Sequence, residues 1–417
     1  MKKRTTAPAR SNLSVLRQLL NFIPLHLVPR LARECGADKR SRTFTPWSQV
    51  VSLMYAHLVH CIGLNDVCDS LQLHSGPLSA IRGAKAPCRN TLSHANRQRD
   101  ASMAEKLFWS VLEHLQKIHP PFARGRKGKG LLHRFKVNVH AVDSTTIELV
   151  ANCIDWAKHR RRKAAAKTHL RLNLQSFLPS YAVIDTAKEH DAKRAREVCA
   201  GLQSGEIVVF DKAYLDYDHL ADLDERGIFW VTRAKENMAF IVVKKRPVKK
   251  GGRLVRDEIV ALEGRSHQPG EFVRRIEAWV EVDGRECLMF FLTNNMEWSP
   301  RSVCDLYRAR WDIEVFFKQL KQTLKLSDFL GHSANAVRWQ VWTALLTYVL
   351  LRFQACVGRW AHSFTRLFTL LRATLWQRLD LPSLLKRYGT AGGHFKLLGA
   401  PEQAWLPKLF PSNGTAH

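Results

Sequence analysis

The sequence is short of acid. Its 417 residues hold 37 Asp and Glu against 65 Lys and Arg, a formal net charge of +28. A surplus of this size points to a polyanionic partner. Glycine is sparse at 22 residues, and no heptad run is sustained, which excludes collagen-like and coiled-coil rods. The nine cysteines include no C-x-x-C pair, so a zinc ribbon or finger is not expected. Neither a P-loop nor a G-x-G-x-x-G turn occurs, removing ATP-driven translocation and dinucleotide chemistry, and no G-x-S-x-G elbow is present. The longest apolar run, Val341 to Leu351, stops at Arg352 and is too short to span a bilayer, so it reads as a buried helix. Met1-Lys2-Lys3-Arg4 leads into no apolar stretch, so a signal peptide is not expected. Reduced thiols then suit a cytoplasmic location.

Burial capacity, by contrast, is ample. Apolar residues make up 46% of the chain, with 20 Phe and 12 Trp, so a disordered chain is excluded. At roughly 100–200 residues per domain the length allows two to four domains. Apolar residues at 3–4 residue spacing (Leu16, Leu19, Leu20, Ile23; Val50, Val51, Met54, Leu58; Phe108, Val111, Leu112, Leu115) predict an all-helical region over 1–120. Residues 121–134 form a Gly-rich basic linker. From Phe135 the period changes to two. Strands are predicted at Lys136 to Asp143, Thr168 to Leu174, Tyr181 to Asp185, Glu206 to Asp211 and Ile228 to Thr232, with helices between. This mixed order suits one α/β sheet with an antiparallel and a parallel half. Residues 234–295 are strand-rich and basic and read as an inserted β-subdomain. A long helix over Ser302 to Leu326, opened by Ser299-Pro300, returns the chain to the core at 296–352. Helices at Asn335 to Val357 and Phe364 to Leu379 follow, and 353–417 forms a helical C-terminal region with a Gly-rich tail expected to be poorly ordered.

Two predicted strands close on Asp143 and Asp211. The long helix carries Tyr307, Arg310, Glu314 and Lys321 at offsets 0, 3, 7 and 14. At about 100° per residue these fall near roughly 0°, 300°, 340° and 320°, one face of a straight helix. Alone, that stripe would be an ion-paired surface ladder. Beside two strand-end carboxylates it suggests phosphodiester chemistry, which adds negative charge in its transition state and needs hard oxygen ligands for Mg²⁺. Arg310 and Lys321 would then grip the flanking phosphates. Asp312, Glu148, Asp216 and Asp218 read as surface acids, Asp312 solvated or paired with Arg308. His94, His140, His169 and His190 read as structural.

Asp143, Asp211 and the pattern Tyr-x2-Arg-x3-Glu-x6-Lys together resemble the DDE transposases of the insertion-sequence-four family and their YREK signature. The spacings fit: 211 − 143 = 68 and 314 − 211 = 103, the second long enough for a β-insertion before the glutamate. Lys163 to His169 and His190-Asp191 also match. Asp211-Lys212-Ala213-Tyr214 departs from the family's Asp-Arg-Gly-Tyr but keeps the positive charge. The resemblance implies an RNase H-like catalytic core over 135–233 and 296–352 and a DNA-binding N-terminal domain. It implies two Mg²⁺ ions, with Mn²⁺ as substitute, on Asp143, Asp211 and Glu314. Cut-and-paste transposition at terminal inverted repeats of double-stranded DNA would follow, in a homodimeric synaptic complex, with no membrane, at the bacterial nucleoid. Cleavage through a hairpin with a base flipped onto an aromatic would concern Trp279, Phe290 or Phe291, for which subdomain core is the favoured reading. Lys163, Lys167, Lys212, Lys244, Lys245 and Arg246 are the expected DNA contacts. Two rivals stay open: an RNase H-like nuclease without strand transfer, and an inactive DNA-binding regulator derived from a transposase.

Overall fold

A computed structural model describes residues 7–39, 41–125, 132, 134–149, 158–160, 163–186, 191–235, 238–248, 252–263, 271–282, 285–326 and 330–389. Eight helices come first: α1 Val15–Leu20, α2 Leu27–Glu34, α3 Pro46–Val59, α4 Leu64–Leu73, α5 Ser75–Ser79, α6 Arg89–Gln98, α7 Ser102–Ile118 and α8 Pro120–Arg124. Their starts follow capping chemistry. Ser14 and Thr45 accept N–H bonds from Arg17 and Ser48, and Pro46 fills the first turn of α3. Gly125, just past α8, has φ +70, and a Cβ there would stand 2.0 Å from the Gln175 carbonyl oxygen, so only glycine lets the linker lie against the sheet.

The sheet is built from β1 Val139–Leu149, β2 Lys158–Arg160, β3 Lys163–Asn173, β4 Leu178–Thr186, β5 Ile207–Phe210 and β6 Phe229–Arg233, with α9 Asp191–Cys199 and α10 Tyr217–Glu225 between strands. β1 pairs antiparallel with β3, β3 with β4, while β1–β5 and β5–β6 are parallel. The order β4-β3-β1-β5-β6, half antiparallel and half parallel, is that of the RNase H-like fold expected from the resemblance. Its parallel half is apolar on both faces, as crossover helices require: Ile207, Val208, Val209 and Phe210 are all buried.

The inserted segment does not stand apart from this sheet. Strands β7 Phe240–Lys245, β8 Leu254–Leu262, β9 Phe272–Val282 and β10 Arg285–Thr293 form an antiparallel meander. The end of β10 pairs with β6 through Phe291↔Arg233, Leu292↔Thr232 and Thr293↔Val231, making one ten-stranded sheet.

The chain then continues as α11 Pro300–Ala309, α12 Asp312–Lys318, a π-helical turn Gln319–Thr323, α13 Ala334–Val357, α14 Phe364–Thr374 and α15 Leu381–Gly389. The apolar run Val341–Leu351 lies inside α13, buried along its length against α3, α6 and α7, so the N-terminal helices and the sheet-bearing part share one core. Pro382 sits in the first turn of α15. The Gly-rich tail beyond 389 lies outside the described residues.

Candidate active site

Register places the two aspartates together. The last parallel pair between β1 and β5 is Val142↔Phe210, so Asp143 and Asp211 are the next positions along adjacent strands. Neighbouring strands lie about 4.8 Å apart, and residues at matched positions face the same way. The crevice outside the C-terminal ends of parallel strands is where open α/β sheets hold ligands. β1 does not stop at Asp143, as the alternation suggested. It runs on to Leu149 because β3 continues to pair with it. Asp211 does end its strand, and its Oδ1 accepts the Ala213 N–H (3.1 Å) to cap a short 3₁₀ turn over Lys212–Tyr214.

The helix above them is not the single straight rod expected over Ser302 to Leu326. After α11 it tightens, with i→i−3 bonds from Arg310 to Tyr307 (3.1 Å), Trp311 to Arg308 (3.2 Å) and Glu314 to Trp311 (3.0 Å). After α12 it widens into the π-turn, where the Leu324 N–H reaches the Gln319 carbonyl at 3.1 Å. Three of the four signature side chains nevertheless bond to β1 or to the residue that follows β5, and Glu314 joins them through Arg310. Tyr307 Oη donates to Asp211 Oδ2 (3.3 Å). Arg310 donates to Asp143 Oδ2 (2.7 Å) and to Glu314 Oε1 (3.0 Å). Lys321 Nζ donates to the Thr146 carbonyl on β1 (2.6 Å). Thr146 gave no sign of this in the sequence, because a carbonyl is recruited by position and not by side-chain type.

Charge within the cluster is unevenly matched. Burial pushes the Asp143 carboxyl up to about 6, against Arg310, which draws it down, and with Glu314 and Asp211 adding to the rise. Burial likewise raises the Tyr307 phenol to about 12. Burial opposes the Arg310 charge, yet Tyr307, Asp143 and Glu314 outweigh it and hold that pKa above its ordinary value. The Arg310 Nε is buried without a hydrogen-bond partner. Among the described residues no three acidic, His or Cys side chains already form a metal cage. A guanidinium stands between Asp143 and Glu314 instead. The carboxylates of Asp143, Asp211 and Glu314 fit a hard divalent ion in their donor chemistry.

Asp312 is half-buried and not solvated as expected. Burial raises its carboxyl to about 7, and Arg308 opposes the rise. Of the expected DNA contacts, Lys212 sits in the turn after Asp211, and Lys167 faces away from Asp143, being paired with Thr146 where Asp143 is paired with Leu170. Lys244 and Lys245 are exposed on β7 at the far edge of the sheet. Arg246 is turned inward, donating to the Met296 carbonyl and standing 3.8 Å from Asp257. The Lys163 and Glu148 side chains and His190 lie outside the described residues. Phe291 is buried against Tyr307, Phe290 lies under the Arg275 guanidinium, and Trp279 is 42% exposed.

Residues 135–350 match the family described as the transposase DDE domain. The chain belongs to that family. Residues 11–81 of this transposase also match a domain of unknown function, DUF4372. It is 29% identical over 303 residues to the "Putative transposase y4zB" of Sinorhizobium fredii, covering 72% of this chain and 80% of that one. It is 26% identical over 192 residues to the Escherichia coli transposase InsG for insertion sequence element IS4, covering 44% and 42%. A piggyBac transposase structure, a synaptic complex with hairpin DNA, is matched at a TM-score of 0.46 and 9% identity over 93% of this chain and 85% of that chain. So distant a likeness adds nothing to the family assignment.

Proposed function

We propose that this transposase moves an insertion sequence by cutting at its terminal inverted repeats and joining the freed 3′-OH ends to target DNA. The register neighbours Asp143 and Asp211, with Glu314 tied to Asp143 through Arg310, carry this reading. These three carboxylates would hold the divalent metal, two Mg²⁺ ions or Mn²⁺ in their place. Such ions supply an activated attacking oxygen and offset charge on the leaving one.

The chain's own groups do the rest. In the free protein Arg310 bridges Asp143 and Glu314. On DNA its guanidinium can exchange a carboxylate oxygen for a phosphodiester oxygen, and its unspent Nε–H adds a further donor. Tyr307 holds the Asp211 carboxylate from the side away from the Ala213 N–H. Lys321 brings a point charge to the edge of β1. Lys212, Lys244 and Lys245, with Lys163 and Lys167, would contact phosphates over a longer footprint. Residues 1–120 would hold the element ends, and synapsis of two ends asks for two copies of the chain, acting at the bacterial nucleoid. The exposed Trp279 is the best placed of the three aromatics to meet a base.

The test uses a plasmid carrying the element ends. Asp143→Ala, Asp211→Ala and Glu314→Ala should each lower Mg²⁺-dependent cleavage by at least about 10³-fold while retaining end binding. Undiminished cleavage by any one of them would remove it from the site. Hydrolysis without joined product in the wild type would favour the nuclease reading.

A further inference from the structure

Helix ends leave carbonyls without intrahelical donors, and the π-turn that carries Lys321 is such an end. Leu324 and Leu326 donate back to Gln319 (3.1 Å) and Leu320 (3.2 Å), and Lys325 turns left-handed at φ +52. The carbonyls of Thr323 and Leu324 are met from the N-terminal region, by two imidazoles at the end of α3. His60 Nε2 stands 2.7 Å from the Thr323 oxygen, and His57 Nδ1 stands 3.1 Å from the Leu324 oxygen. His57 is fully buried and also faces the Gln340 carbonyl at 3.0 Å, which makes it part of the core.

His60 is placed differently. Its ring stacks on Phe368 (centroids 4.9 Å apart), and Arg372 stands 3.0 Å from its Nδ1. Arg can only donate, so Nδ1 accepts, the ring hydrogen sits on Nε2, and Nε2 donates to Thr323. The backbone of His60 is left-handed, φ 64 and ψ 45, at the C-cap of α3. Glycine or asparagine is the usual occupant of that conformation, because a Cβ is strained there. A histidine at a position that favours glycine points to a task for its side chain.

We infer that His60 is a positioning residue for the transposition site: its imidazole clamps the Thr323 carbonyl, holds the π-turn, and so fixes Lys321 against β1. Residues 11–81, the region matched by a domain of unknown function, thereby brace the site. This rests on the reading of Lys321 as a phosphate-gripping residue of the site. The connection is short, since Lys321 is two residues before Thr323 and its Nζ meets Thr146, three residues after Asp143.

The test separates folding from positioning. His60→Gly removes the clamp and also the left-handed strain, so its Tm should stay within about 4 °C of wild type. Strand transfer should nevertheless fall on the order of tenfold or more, with end binding unchanged. His60→Gln, whose amide can still donate to Thr323, should recover most of that loss. His60→Asn tolerates the same backbone but has a shorter reach, and it should behave like His60→Gly, which covers the case in which the glycine variant folds poorly. In a Lys321→Ala background, His60→Gly should cost little more, since both changes act through one group. Wild-type strand transfer by a folded His60→Gly, loss of end binding in it, or losses that multiply with Lys321→Ala would each overturn the inference. Failure of the wild type itself to process element ends would instead sink the transposase-site reading, leaving a clamp with no reaction to serve.

Discussion

Two charge clusters lie one on each side of the β6–β10 junction, and they are built on opposite principles. In the insertion, Arg274 is 1% exposed and meets Asp257 in a two-pronged pair, Nε to Oδ1 at 2.8 Å and Nη2 to Oδ2 at 2.7 Å. Its remaining prong donates to the Trp298 carbonyl. Arg246 stands 3.8 Å from the same carboxylate, so cations match the anion in full, and each Arg274 nitrogen has a partner. In the site, Arg310 serves Asp143 and Glu314 while Asp211 has a phenol and a backbone N–H for company. One guanidinium there bonds two carboxylates, and its Nε is buried without a partner. A closed pair holds strands in register. A guanidinium divided between two carboxylates leaves them able to take a further cation, which suits the metal proposed for this site.

Breaking each cluster at its arginine should therefore have different consequences. Arg274→Ala leaves the buried Asp257 carboxylate with the longer contact to Arg246, and should cost about 3–5 kcal/mol of folding stability in urea unfolding. Arg310→Ala should cost clearly less stability but lower strand transfer by about 10²-fold, because it removes the group proposed to meet DNA phosphate. A stability loss at Arg310 as large as at Arg274, with activity per folded molecule intact, would erase the distinction between the clusters.

The smallest effect is a pH dependence. The folded Asp143 carboxyl, at about 6, holds its proton where the unfolded chain has released it. The stability this lends is full below the unfolded value of about 4 and is lost as pH rises through about 6. In metal-free buffer, wild type should therefore lose about 2–3 kcal/mol relative to Asp143→Asn between pH 4 and 7. Parallel stability profiles for the two proteins would show that Asp143 carries no such strain.

The legible parts of this protein were those fixed by short-range pattern. Alternation at Val137 to Val142 and the apolar run Ile207 to Phe210 marked both strands, and the acids followed them. The run Val341–Leu351 could only be a helix inside a core, and α13 is one. The breaks in the helix over Ser302 to Leu326 leave no trace in the sequence, because no proline or glycine marks the tightening at Arg310 or the widening at Gln319. Those departures are imposed by what the side chains have to reach on β1 and β5.

Composition and spacing thus determined the basic character of the chain, the alternating elements, and the set of acids and cations that belong together. Pairing across long separations was decided only by folding. Arg310 meets an aspartate 167 positions away, and His60 meets a carbonyl 263 positions away. Such contacts depend on which surfaces remain adjacent once the whole core has packed, and no local period records that.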